Sequence, residues 1–210
     1  MTKQKKNRLL IIWWIMTLVV YMPIGFVYLT GDWVQTPVTL QQDFQTEWRT
    51  WRPFQTRYTG LEMGYPRYEN TELEEQILGD IRDPESGTPV HILVSVNGKH
   101  CVMAQEPMSG RGMMAHRHLT PFAQSQPECD LSERAGTNHW QITVQSVGEP
   151  LRGVQTVLMH HSPYGFKAIS DDIYGKISLW NIAMMFIGAP IWLVFSLFLL
   201  GQKFLRFGKH

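Results

Sequence analysis

The chain has 210 residues, 44% hydrophobic and 18% charged, with two cysteines and a formal charge of +1. That small sum hides an asymmetry: Lys3, Lys5, Lys6 and Arg8 open the chain, Lys203, Arg206 and Lys209 close it, and between them 12 Lys and Arg meet 18 Asp and Glu, a net of −6. An acidic middle without a basic footprint excludes nucleic acid as a partner, and uncharged apolar stretches at residues 9–31 and 177–202 exclude a chain that lives wholly in water.

The first stretch, as a helix, is about 34 Å long, enough to cross a hydrocarbon core of roughly 30 Å. Basic flanks without acids mark the cytoplasmic side, so residues 1–8 and 203–210 are expected in the cytoplasm and residues 32–176 on the far side of a bacterial inner membrane. A cleaved leader is disfavoured, because the apolar run continues through Tyr21 and Pro23 to Leu29 and no pair of small residues follows it. Tyr28, Trp33 and Trp180 stand at the expected outer borders. Neither span carries an acid, a base or a histidine at bilayer depth, so no proton or ion relay is expected. Pro23 and Pro190 each remove a backbone donor, and Gly25 and the Gly188-Ala189-Pro190 step offer close-approach surfaces for helix packing.

The middle has the size of one domain. Residues 34–40 read as an edge strand because of Pro37. Phe44, Trp48 and Trp51 fit a helix face or a strand equally. Residues 54–65 are β-rich and broken at Gly60. Thr71 and Glu74 form a capping box before Leu73, Ile77 and Leu78, and Gly79 stops that short helix. Glu72, Glu74 and Glu75 read as its solvated acidic first turn.

Residues 88–96 alternate Val90, Ile92, Val94 and Val96 with other residues, the period of a strand. Asn97-Gly98 then supplies a hairpin turn, and residues 99–104 return. Trp140, Ile142, Val144 and Ser146 share one face of a strand at 139–147. Val154, Thr156, Leu158 and His160 share one face of another at 154–160. Strands in series with one short helix predict a mainly β domain, a jelly-roll-like β-sandwich.

Cys101 and Cys129 both lie in the middle domain, where an oxidising compartment would pair them. No N-x-S/T sequon occurs, which fits a periplasm. Between residues 101 and 118 a Gly-containing loop is expected to gather Met103, Met108, Met113, Met114, His116 and His118. Of these Met108, Met113, Met114, His116 and His118 form a candidate copper set, since thioether and imidazole suit that metal. Their irregular spacing favours packing roles. His160 and His161 would point to opposite faces of a strand, and His91 away from the apolar face of its own. Asp171-Asp172 reads as a solvated loop. There is no G-x-S-x-G elbow, H-E-x-x-H or P-loop, so no catalytic residue and no cofactor is assigned.

The run Phe54, Tyr58, Leu61 and Met63, then Leu78-Gly79, Pro89, His91 and Val94, then Trp140, Ile142 and Val144 before Pro150-Leu151 resembles small uncharacterised bacterial periplasmic jelly-roll domains. Some of those look like immunity or accessory proteins of the envelope, although such domains often carry a lipid or signal-peptide anchor where this chain has two helices. A well-patterned domain anchored at both ends with no catalytic constellation is expected to be non-enzymatic and to bind another envelope protein, with a Met/His copper-handling module among the alternatives. A sensor passing a signal through its helices and an enzyme with a dispersed site are the other expectations.

Overall fold

The computed structural model describes residues 3–31, 33–56, 60–80, 82–83, 85–122, 129, 131–164 and 173–207. A long helix α1 (Lys3–Thr30) leads into eight strands: β1 (Val34–Thr39), β2 (Gln45–Arg52), β3 (Leu61–Tyr65), β4 (Val90–Val96), β5 (Lys99–Arg111), β6 (Ala115–Pro121), β7 (Gly136–Val147) and β8 (Gln155–His160). A short helix α2 (Thr71–Leu78) follows β3, and the chain ends in α3 (Ile173–Ala183) and α4 (Ala189–Phe207), joined by a π-helical turn at Met184–Gly188.

All strand pairs are antiparallel, and they form one sheet in the order β1-β8-β3-β6-β5-β4-β7-β2. First pairs with last, second with seventh, third with sixth and fourth with fifth. That is the pairing of one long hairpin rolled up on itself. The outer strands β1 and β2 come together, so the sheet is a nearly closed barrel. Hydrogen bonds thus join all eight strands into a single sheet, where two stacked sheets were expected. Rolling removes most of the edge that two open sheets would leave unpaired.

Alternation builds the interior. Val90, Ile92, Val94 and Val96 of β4, Trp140, Ile142 and Val144 of β7, and Leu61, Met63 and Tyr65 of β3 all point inward and are buried. At roughly 1.5–3 kcal/mol for each such side chain withdrawn from water, this face dominates the stability of the domain. Asn97 and Gly98 both have positive φ (51° and 85°), as the tight turn between β4 and β5 requires. Pro37 sits on β1, opposite Val157 of β8, at a sheet edge where its missing N–H costs least. The stretch holding Phe44, Trp48 and Trp51, which fits helix and strand equally by sequence, enters the strand β2 at Gln45: Trp48 and Thr50 face in while Glu47, Arg49 and Trp51 face out.

Three expectations are corrected. The stretch 101–118 is not a loop but a hairpin of β5 and β6, because Cys101, Met103, Gln105 and then Ala115, Arg117 and Leu119 alternate inward. The cap of α2 is Asn70, whose side-chain oxygen accepts from the amides of Glu72 and Leu73 at 2.9 and 3.4 Å; Thr71 is the first helical residue. Glu74 is fully buried, its carboxylate 2.9 Å from Arg67 and 3.6 Å from Arg111. Arg111 reaches it from the end of β5, which pins α2 over one mouth of the barrel. Cys101 of β5 is disulfide-bonded to Cys129 in the connection leading to β7.

Two helical segments, Asn7–Thr30 and Ile173–Gly201, are long and apolar enough to cross a membrane, and nearly all their residues face outward. They pack on each other through a reciprocal pair of indole contacts. Trp13 Nε1 donates to Ser196 Oγ, and Trp192 Nε1 donates to Thr17 Oγ1, both at 2.8 Å. Each hydroxyl donates in turn to the carbonyl four residues back on its own helix, Ser196 to Trp192 and Thr17 to Trp13. All four polar groups are thereby satisfied without water, as lipid demands. Val20 fits against Gly188, where an added Cβ would lie 3.1 Å from Val20 and 2.9 Å from Met184. The π-helical turn falls just before Pro190, which has no N–H to continue the α-helical ladder.

Candidate functional site

The helices hold the barrel by its other mouth. Tyr174, at the start of α3, is buried; its hydroxyl donates to the Phe54 carbonyl at 2.6 Å and accepts from the Phe54 amide at 3.1 Å. Phe54 also meets Phe26 of α1, and the Thr30 hydroxyl bonds that of Tyr164 at 2.7 Å. Ser178 of α3 donates to the Tyr164 carbonyl. Both helices are therefore coupled to the floor of the domain. Tyr28, Trp33, Trp51 and Phe54 remain exposed around this junction.

Just above that floor lies a buried polar centre. Arg52, the last residue of β2, is fully buried and pairs through Nε with Glu133 at 2.6 Å. The Glu133 carboxylate also accepts from Thr50 and from Trp140 Nε1, the latter at 3.0 Å. Trp140 stacks on Trp48 with 5.6 Å between ring centroids. The Trp48 indole donates to His160 Nδ1 at 3.3 Å. Burial, with Arg52 and His161 adding to it, pushes His160 down to about 3, so its ring is neutral and free to accept. This centre is sealed inside the barrel and is built to hold β2, β7 and β8 together.

A second cluster stands on the outer wall. On β3, Leu61, Met63 and Tyr65 face in, so Glu62 and Gly64 face out; on β6, His116 and His118 face out between Ala115, Arg117 and Leu119. Glu62 is directly opposite His118 in the ladder, and Gly64 opposite His116. His161, one residue past β8, hydrogen-bonds through its amide to the Gly60 carbonyl and brings its ring to the same place. The distances to the Glu62 carboxylate are 2.7 Å from His161 Nε2, 3.2 Å from His118 Nδ1 and 3.9 Å from His116 Nδ1. The His161 hydrogen bond holds the Glu62 carboxyl below its usual range against the opposing cost of burial, and the charges of His118, His161 and His116 add to it. Trp33 stacks on the far side of His161. Over Gly64, an added Cβ would lie 3.0 Å from the Met159 methyl and 3.2 Å from the Met114 sulfur.

On the opposite wall, β2, β4, β5 and β7 carry a polar groove of about 670 Å³, lined among others by Glu47, Arg49, His100, Arg134, His139 and Gln141. Trp48 and Trp140 also line it.

The candidate copper set is divided by the fold. Met108 is buried in the barrel core and Met113 is 98% exposed in the turn between β5 and β6. Met114, His116 and His118 do come together, but with Glu62, Met159 and His161, none of which belonged to the set. His160 and His161 point to opposite faces, as strand geometry requires. Asp171-Asp172 and Tyr58 lie outside the described residues. The inward Arg52 had a usable signal: in Trp48-x-Thr50-x-Arg52 the period of β2 aims a guanidinium at the core, which demands a buried acid. Once 115–121 is read as a strand, the two-residue spacing of His116 and His118 likewise places both on one face.

No protein-family model matches the chain, and no curated protein sequence does. Among solved structures, GEBA250068378 from Sulfurospirillum deleyianum is similar, at 12% identity and a TM-score of 0.38, over 62% of this chain and 97% of that one. A likeness at that level bears on neither site nor activity.

Proposed function

We propose that this chain is a two-pass inner-membrane protein that binds another envelope protein through a periplasmic jelly-roll domain, without catalysing a reaction. The observation that carries this reading is the groove on the β2-β7-β4-β5 wall. It is open, with Glu47 and Arg49 of β2 and Arg134 just ahead of β7 giving it charges of both signs, and Ser95, His100, His139 and Gln141 giving it neutral polar groups; no motif of group transfer or hydrolysis occurs in it. Such a surface suits complementary charged side chains on a partner, which set specificity and association rate. The basic tails support cytoplasmic ends, and the Cys101–Cys129 bridge supports an oxidising compartment for the barrel. The rolled-hairpin strand order supports the jelly-roll assignment. Anchoring at both ends confines the groove near the bilayer and raises its effective concentration for membrane-proximal partners, as an accessory subunit or an immunity-type inhibitor needs.

The test is affinity capture from detergent extracts with the full chain as bait, beside the charge-reversed variant Arg49→Glu/Arg134→Glu. A stoichiometric envelope protein held by the wild type and lost from the variant supports the reading. Capture of none, or capture unaffected by the variant, retires it. A sensor is the second reading, favoured by the Phe54–Tyr174 and Thr30–Tyr164 contacts that join barrel and helices. In that case Tyr174→Phe would abolish the response of a co-assembled output protein while leaving capture intact.

A further inference from the structure

Three part-exposed imidazoles around one buried carboxylate on the outer wall are an arrangement that the partner-binding groove, on the opposite wall, does not use. We propose that Glu62, His118 and His161, with His116 as a fourth ligand, form a binding site for a late first-row divalent metal ion, Cu²⁺ or Zn²⁺.

The argument begins with the ladder. Glu62 of β3 stands directly opposite His118 of β6, His116 lies two residues along on the same outer face, and His161, just past β8 and bonded to Gly60, brings its ring to the same carboxylate. A tetrahedral ion with bonds of about 2.0–2.1 Å holds its donors about 3.3 Å apart. The separations of the three nitrogens from the Glu62 carboxylate, 2.7, 3.2 and 3.9 Å, bracket that value. In the present arrangement the rings encircle the carboxylate, and among the described residues no three His, Cys, Asp or Glu side chains surround a common point as ligands. Small ring rotations from the carboxylate towards a shared centre are what binding requires. Any proton held between an imidazole and Glu62 leaves to solvent as the nitrogen lone pair turns to the ion.

One atom favours that rearrangement. His116 Nδ1 is cut off from solvent and has no hydrogen-bond partner, although it points towards the carboxylate. A bond to an ion would satisfy it. The side chains of His116, His118 and His161 are 29%, 34% and 36% exposed, so an ion can enter from outside. Beside them the thioethers of Met114 and Met159 form a soft wall over Gly64. Imidazole ligands, that wall and the usual order of divalent affinities rank copper above zinc.

The experiment is titration of the full-length, untagged protein in detergent with Cu²⁺ alone and Zn²⁺ alone, followed calorimetrically. One ion per chain should bind in the micromolar range or tighter, copper ahead of zinc. Glu62→Gln and His161→Ala should each weaken binding at least tenfold. His100→Ala, on the opposite wall, should leave it unchanged. Because Trp33 stacks on His161, Cu²⁺ should also quench a fluorescence component that Trp33→Phe removes. Absence of saturable binding in the micromolar range or tighter, or equal affinity in a His118→Ala/His161→Ala variant whose circular dichroism matches the wild type, overturns the proposal.

Discussion

Arg52 shows how one side chain can govern a barrel. Its guanidinium is fully buried beside Glu133, and a buried ion pair broken on one side leaves an uncompensated charge costing about 3–5 kcal/mol. Arg52→Met should therefore lower unfolding stability in detergent by about that amount. Adding Glu133→Gln should recover part of the loss, so that the double variant costs less than the sum of the two singles in a denaturant series. His160 gives a pH dependence of known sign. In the folded chain it takes up a proton only near 3, in the unfolded chain near 6.5. The unfolded state binds more protons between those values, so stability is full above about pH 6.5 and falls as pH drops towards 3. His160→Gln should flatten the melting temperature between pH 6.5 and 4.5. Glu62 acts lower: its contribution is present above the ordinary carboxylate value of 4.5 and lost as pH falls through its depressed folded value, so between pH 6.5 and 4.5 the loss belongs to His160, and below 4.5 the two overlap. Arg117 meets its burial differently, donating to the carbonyls of Glu106, Thr88 and Gln105.

At the level of elements, the two apolar helices form a hairpin rather than two independent anchors. Trp13 and Trp192 each offer an indole to a hydroxyl on the other helix, and such interhelical bonds contribute about 0.6–1.7 kcal/mol each in membranes. Trp13→Phe with Trp192→Phe should cost about 1–3 kcal/mol of detergent stability, while the near-ultraviolet dichroism of the Trp48–Trp140 stack survives until the barrel itself melts. The helices, β4, the Asn97-Gly98 turn, β7 and β8 were all legible in sequence, because each is governed by neighbours in the chain. What escaped depended on distant partners. The segment 101–118 alternates cleanly only if Arg117 is allowed an inward place, and that place exists because carbonyls from β5 and from Thr88 converge there. Glu74 looked solvated because Arg111, 37 residues on, is brought to it only by the β5–β6 hairpin. The imidazole–carboxylate cluster was half visible: His116 and His118 stood out, whereas Glu62 and His161 join them only through the register of β3 with β6 and β8.

At the level of the whole molecule, one mouth of the barrel is closed by α2 and the other by Tyr174 and Phe54, so the domain is seated on the helix pair rather than hung from it. The pairing of first strand with last also sets a timetable for assembly. Thr39 has no partner until Gln155 has been synthesised, so the opening strand waits, its amides and carbonyls bare, through almost the entire length of the domain. Bare strands recruit strands from other chains. A chain halted before Gln155 should consequently be cut readily by added protease, whereas the finished chain resists at the same dose. If the N-terminal helix enters lipid as it is made, as the proposed topology requires, it would hold the growing chain to a surface during that wait and limit collisions with its siblings, a nursemaid to folding before it is an anchor.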